Sequence, residues 1–337
     1  MGATLLSLGA WNTAVGTKAL FANTTGTANT AFGHRALLSN NTGFFNTATG
    51  YQALVLNLSG SRNTSNGYQA LYSNTNGDQN TATGLQALYS NRSGGQNTAT
   101  GLDALYSNTN GGKNTAVGYK ALYSNTIGFH NTAVGVDADV AVGNLINATV
   151  LGYSGSVNAN NKVRIGNTAV TVIEGQVAYS FPSDARFKFN IHDEGVPGLA
   201  FINKLRPVTY QFDNHKFDQH LMQYMPDSTQ RRRIEMQDYT ASTAKIQTGF
   251  LAQEVEQVCK DLNFTFSGLH IPESDVDNYS LAYGSFVPLL VKAVQEQQAE
   301  IEQLKRENTA LKLQTDKIGT MEAELRQIKA MLHDKPK

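Results

Sequence analysis

The stretch Phe181-Pro182-Ser183-Asp184-Ala185-Arg186-Phe187-Lys188-Phe189-Asn190-Ile191 sets a hydroxyl, a carboxylate, a guanidinium and an ammonium close together in the chain. A serine hydroxyl attacks a carbonyl carbon only when a base takes its proton. Lysine can be that base if burial or neighbouring cations bring its pKa down from about 10.4 towards neutrality. An ordinary reading stands beside this one, because Ser-Asp is common at caps, where a side-chain oxygen accepts from a backbone amide. Other chemistry finds little support. The single Cys259 excludes an intrachain disulfide framework, Cys/His zinc spacing is absent, and His192, His215, His220 and His270 show no ligand spacing. Neither a metal nor a cofactor is expected.

The elements that must carry these residues differ sharply on either side of Pro182. Charged residues are 16% of the 337, against about 25% in an ordinary globular chain. Residues 1–182 hold 8 Lys+Arg and 5 Asp+Glu; residues 183–337 hold 19 and 22, so the halves carry +3 and −3. Such weak fields argue for no nucleic-acid partner, and Arg231-Arg232-Arg233 reads as three charges in a polar loop from Asp227 to Thr243, with no aromatic platform. No run of 18 or more apolar residues occurs, so no membrane insertion is expected, and no signal peptide is visible at the start.

The charge-poor half is a repeat. Asn-Thr falls at 12, 29, 46, 63, 80, 97, 114 and 131, always 17 apart, in a unit N-T-A-x-G-x-x-A-L-x-x-N-x-x-G-x-x. Seventeen residues are too few for a two-helix repeat, and fixed Gly and Asn break long helices. Each unit is therefore one rung of a β-solenoid or β-roll. Asn-Thr-Ala-Val-Gly supplies a short strand with Ala and Val or Phe available for the interior, and the two Gly slots permit positive φ at corners. Leu20, Leu37, Leu54 and their equivalents give about one large apolar side chain per rung, a thin core that three chains sharing an axis would enlarge by burying Leu and Tyr between them. The Asn columns suit ladders along the rod. A sugar-binding surface built on Tyr51, Tyr68, Tyr119, Asn74, Asn91 and Asn108 is the sharper alternative. Gly9, 17 before Gly26, places a degraded repeat at the start, with Leu6 where Asn belongs.

The repeats resemble the Gly/Asn/Ala-rich repeats of trimeric phage fibres and of trimeric bacterial surface adhesins, with a period longer than the usual adhesin head motif. No membrane-anchoring β-barrel segment follows them, which argues against a self-transporting adhesin. Beyond residue 135 the register is lost, and Asn147–Tyr153, Lys162–Gly166 and Ala169–Gly175 read as short strands of a β neck. The stretch from Ser183 closely resembles the S-D-x-R-x-K-x-N-I start of the intramolecular chaperone domain of the S74 peptidase family, found in endosialidases, phage tail fibres and the myelin regulatory factor. Three further blocks follow in order: Gly198–Tyr210, Gly249–Glu256 and Tyr283–Ala293. The resemblance implies autoproteolysis before the serine by a Ser/Lys dyad. Carried over, Ser183 is the nucleophile, Lys188 the general base and Pro182-Ser183 the scissile bond, with Asp184 and Arg186 in supporting roles.

An amphipathic helix is expected from Gly249 to about Asp261, and a heptad seam runs through 287, 290, 294, 297, 301, 304, 308, 311, 315 and 318. The seam slips by three at Met321, then resumes through Leu325, Ile328 and Leu332. A helix over 287–332 spans roughly 70 Å. Its resemblance to the family implies a trimer. The expected organisation is thus a mainly β repeat rod at 1–135, a β neck at 136–182, an α+β chaperone domain at 183–286 and a trimeric coiled coil at 287–332. The expected function is a homotrimeric fibre or adhesin for surface attachment, on a virion tail or a bacterial surface, with a cell-surface glycan or protein as receptor. Its C-terminal domain would chaperone assembly and cut once before Ser183; no external substrate is expected. The alternative is a bacterial structural fibre that retains an uncut chaperone domain.

Overall fold

The computed structural model describes residues 10–177, 179–192 and 194–333, with side chains to 329. Gly9 and Leu6, and the Leu332 side chain, lie outside the described residues. The chain divides into two compact units: Met1–Val177 with Tyr210–Gln247 and Pro272–Asn278, and Ala178–Thr209 with Thr248–Ile271 and Tyr279–Lys337.

The first unit is a β-solenoid. Eight three-residue strands, Thr13–Val15, Thr30–Phe32, Thr47–Thr49, Thr64–Asn66, Thr81–Thr83, Thr98–Thr100, Thr115–Val117 and Thr132–Val134 (β1–β8), stack in parallel. Asp139–Val140, Thr149–Leu151, Ser156–Val157 and Val163–Ile165 follow as β9 to β12. The long sheet continues past the register break in the order β8-β10-β12, while β9 and β11 form a second pair. No strand forms over Ala169–Gly175, where the sequence suggests one. Without a further rung of this chain to pair with, its Val170, Val172 and Ile173 side chains are left exposed.

Alternation along β5 turns Ala82 inwards and Thr81 and Thr83 outwards, and the other rungs of the repeat follow it, with Ser65 in place of Ala in β4. The fourth slot, expected to help fill the interior, also points out: Phe32 and Val117 are exposed. The core is the Ala and Leu columns, fully buried from Ala31 to Leu122. Leu37, Leu54, Leu71 and their equivalents are thus enclosed by a single chain, not shared between chains as the thin-core argument expects. Backbone bonds running from rung to rung all round the coil close that interior, including Leu54 N–H to Ala70 O at 2.9 Å and Gln52 N–H to His34 O at 3.0 Å.

The two glycine slots do different work. Gly67 has φ +143°, and a Cβ there would lie 2.4 Å from the Gly84 carbonyl oxygen. The second slot does not need positive φ. A Cβ on Gly60 would meet Asn57 Oδ1 and Gly77 O, each at 2.5 Å, so this slot is reserved for the asparagine ladder. In that ladder Asn57 Nδ2 donates to Asn40 Oδ1 at 2.7 Å and to Gly60 O at 2.8 Å, and Asn74 repeats the pattern one rung on. Asn74, Asn91 and Asn108 are fully buried in it, which removes them from any sugar-binding surface. Other positions carry the left-handed corners: Gln52, Leu54 and Arg62 in one rung have φ of 55°, 54° and 57°. Each costs roughly 1–2 kcal/mol in isolation, offset here by the inter-rung bonds that this shape permits.

Three helices complete this unit: Asn214–Met222, Asp227–Glu235 and Thr240–Ala244. Residues 227–235 are helical where the sequence suggests a polar loop, because Arg232 and Arg233 find partners on the solenoid. Arg232 Nη2 lies 2.5 Å from Asp137 Oδ1, and Arg233 Nη2 lies 3.8 Å from Asp139 Oδ2. Further along, Thr168 Oγ1 donates to Asp218 Oδ2 at 2.7 Å, and Lys162 Nζ lies 3.0 Å from Asp277 Oδ1.

The second unit packs the short helix Leu199–Ile202, the helix Ala252–Asp261 and the start of the long helix Phe286–His333 around Phe201, Val255, Val258, Cys259, Phe266, Phe286 and Leu289. The amphipathic helix begins three residues later than the sequence suggests. A short antiparallel pair, Leu269–His270 with Ser280–Leu281, closes one side. The Glu296 carboxylate accepts from the Leu199 amide at 2.7 Å and caps the short helix. Beyond Ala293 the long helix leaves this core, and Val294, Ile301, Leu304, Leu311, Ile318 and Met321 lie exposed. No helix among the described residues is long and apolar enough to cross a membrane.

Candidate functional site

The chain is extended at Asp184, with φ −71° and ψ 126°, and a single 3-10 turn, Ala185–Phe187, then folds it back. Asp184 caps that turn, its Oδ1 accepting from the Arg186 amide at 2.9 Å. One short turn returns the chain far enough for residue 188 to reach residue 183. Lys188 Nζ donates to Ser183 Oγ at 2.7 Å. Both side chains are exposed, as is Pro182.

Asp184 and Arg186 are occupied with each other. Arg186 Nε lies 2.9 Å and Nη2 2.5 Å from Asp184 Oδ2, and this pairing holds the Asp184 carboxyl below the usual carboxylate range. They shape the turn that carries Lys188, and no bond from either reaches Ser183 or Lys188 among the described residues. The site is shallow and open. The surrounding large apolar side chains, Phe181, Phe187, Phe189 and Ile191, are exposed too, Phe181 at 87%.

The chemistry available is that of a hydroxyl with an amine at hydrogen-bond distance, adjacent to the peptide bond that joins Pro182 to Ser183. No group of three or more His, Cys, Asp or Glu suited to a metal occurs among the described residues. The other histidines stay dispersed: His220 Nε2 lies 3.2 Å from Asp277 O, and His215 packs edge-on against Tyr239. Cys259 is buried, and burial pushes its thiol up.

A cluster that sequence reasoning left aside lies at the end of the repeat. Asp139 stands where earlier rungs have the core Leu, and that substitution in the column is the signal that could have found it. Its carboxylate is fully buried, accepting from the Ser124 amide at 3.1 Å and the Val140 amide at 2.9 Å. Burial pushes Asp139 up to about 6, although Arg233 and these amides pull the other way. Arg233 is buried as well; its Nη2 donates to the Asp137 carbonyl, while Nε and Nη1 have no partner. Desolvation outweighs attraction in this pair.

Residues 183–263, about a quarter of the chain, match the Peptidase S74 family, described as the chaperone of endosialidase. No curated protein matches the chain. A solenoid of 17-residue rungs followed by such a domain is the organisation of a tail-fibre-like protein.

Proposed function

We propose that the chain forms a homotrimeric attachment fibre whose C-terminal region brings three copies into register and then cuts itself away before Ser183. The observation that carries this reading is the 2.7 Å bond from Lys188 to Ser183, set among exposed aromatic side chains.

Register is the physical problem that such a region solves. Every 17-residue slip of one rod against another offers nearly the same contacts, so rods left to themselves pair in many ways. The exposed seam of the Phe286–His333 helix, with Leu304, Leu311 and Ile318, supplies a parallel coiled coil with a single best register. Packing of three copies covers Phe181, Phe187, Phe189 and Ile191 and desolvates the Lys188 ammonium. Desolvation disfavours its charged form, so Nζ becomes a base only after assembly.

The cut then proceeds on the chain's own atoms. Neutral Lys188 Nζ takes the Ser183 Oγ proton while Oγ attacks the Pro182 carbonyl carbon. The C–N bond of Pro182-Ser183 breaks, Lys188 returns the proton to the leaving Ser183 nitrogen, and the Pro182 acyl group rests on Oγ as an ester. Water hydrolyses that ester, which yields a Pro182 carboxylate and restores the Ser183 hydroxyl. Asp184 and Arg186 keep the turn that holds the pair together. The rod remains as a kinetically trapped product.

Intact mass under denaturing conditions tests the reading. The wild type is expected to give pieces of about 19 and about 18 kDa from the 36.5 kDa chain, and Ser183→Ala and Lys188→Ala a single uncut species. A trimer that stays at full length in all three proteins would refute the cut and leave a retained C-terminal region.

A further inference from the structure

The aromatic columns of the rod are the obvious place to seek a ligand, and their geometry argues against them. Tyr72, Tyr89, Tyr106 and Tyr123 stack face to face at 5.1–5.3 Å, so the inner rings have no free face to offer. Tyr51 stacks between His34 and Tyr68 in the same way. A different column breaks the repeat. The slot after the second glycine carries Thr27, Phe44, Ser61 and Asp78, then Gly95 and Gly112, then Phe129. Five of seven rungs accommodate a side chain there, and neither Gly95 nor Gly112 has a positive φ. A Cβ would lie 3.1 Å from the Asp78 carbonyl oxygen at Gly95 and 3.0 Å from the Gly95 carbonyl oxygen at Gly112, tight approaches that the backbone φ itself does not impose.

The effect of the two glycines is to open a notch of about 480 Å³ between Asp78 at one end and Phe129 at the other. Its volume falls in the range of small-molecule sites. The floor is the backbone of two rungs, spaced about 4.8 Å apart. One wall is Gln79, Gln96 and Lys113; the other is Asn76, Ser93 and Asn110. Bonds along the rod orient these walls: Gln96 Nε2 donates to Gln79 Oε1 at 3.2 Å, and Ser93 Oγ to Asn110 Oδ1 at 3.0 Å. An amide whose oxygen is thus engaged presents its NH₂, and one whose nitrogen is engaged presents its oxygen. The Phe129 ring belongs to no stacked pair among the described residues and is 40% exposed.

We propose that this notch binds a hexose unit or disaccharide of a surface glycan. Alternating amide donors and acceptors match a ring of hydroxyls, and the partly exposed Phe129 ring, one edge of which lies over Gly112, offers apolar surface to a pyranose. An apolar ligand would find a backbone floor and amide walls, which bury polar groups at a cost. A nucleic acid would find a single lysine. The inference rests on the reading of the rod as an attachment element and names its ligand class.

The test uses the full-length chain on an array of immobilised glucose, galactose, mannose and N-acetylhexosamine mono- and disaccharides. The wild type is expected to bind a subset of these. Gly95→Ser, which restores a side chain that Ser61 shows the slot accepts, and Gln96→Ala are each expected to weaken binding about tenfold or more. Thr27→Ser, in the same column but three rungs from Asp78, is the control and is expected to leave binding unchanged. Circular dichroism and melting of each variant guard against misfolding, and Phe129→Ala gives a second, independent loss without filling the notch. Array binding that all three notch variants retain would overturn the proposal and leave the attachment reading intact. Absence of any array binding would also overturn it, and adherence of the labelled protein to whole cells would then decide the attachment reading separately.

Discussion

The solenoid and the C-terminal unit solve opposite problems. In the rod, one chain buries its own Leu and Ala columns and pairs its interior asparagines with one another, so the apolar core closes without a second chain. In the C-terminal unit, a small aromatic core around Phe201 and Phe286 is complete, but the long helix and the segment around Ser183 present rows of exposed apolar side chains. A rung therefore closes its core within one chain, whereas the exposed helix seam and the exposed segment around Ser183 both lie in the second unit. That contrast explains why a register-setting device would be attached to a rod whose own repeats carry no register information.

The comparison can be broken most severely in the rod interior. Gly67→Ala puts a Cβ 2.4 Å from the Gly84 backbone at a φ that alanine rarely adopts. Several kcal/mol of local destabilisation are expected, seen as loss of soluble β-rich protein. Leu71→Ala, which empties a fully buried site, should cost about 2–5 kcal/mol, measurable as a lower melting temperature. Both effects should be the same whether or not the chain is assembled.

The converse experiment targets the helix seam. Leu304→Asn with Leu311→Asn should abolish association in analytical ultracentrifugation, while the β signal of the rod persists. Loss of the rod along with the assembly would show that rungs do not fold within one chain.

A smaller effect sharpens the contrast inside the first unit. Because burial raises Asp139 from 3.8 to about 6, the native state holds its proton more tightly than the unfolded chain does. The stability from this group is full below about pH 4 and is lost as pH rises through about 6. The groups acting on it are Arg233, the Ser124 and Val140 amides and Tyr123, while Arg233 in turn feels Asp137, Arg232 and Asp218. Melting temperatures of wild type and Asp139→Asn should diverge by a few degrees between pH 5 and pH 7.5, with the fall towards pH 7.5 confined to the wild type. The smallest effect belongs to Arg206, whose pair with Glu254 is solvent-exposed. Arg206→Ala should leave the melting temperature essentially unchanged.

Much of the candidate site was legible because it is local. Ser183 and Lys188 meet across a single turn capped by Asp184, so their spacing in the chain already limits their distance in space. Asp184 and Arg186 were identifiable as neighbours, but their commitment to each other depends on side-chain geometry. Arg232 and Arg233 read as part of a solvated loop in the sequence, because their partners Asp137 and Asp139 lie about a hundred residues earlier.

Sequence by itself determined the rung, its 17-residue period, the glycine and asparagine slots, the long C-terminal helix and the five-residue spacing of serine and lysine, because each is fixed by covalent neighbours and backbone sterics. Only the tertiary structure decided that the Leu column is enclosed by one chain, that the second glycine makes room for an asparagine ladder, that Asp139 is buried beneath Arg233, and that Gly95 and Gly112 open a notch. These depend on which distant segment fills the space beside a residue; the breaks in the repeat at Asp139, Gly95 and Gly112 mark the places in the sequence but not what lies beside them.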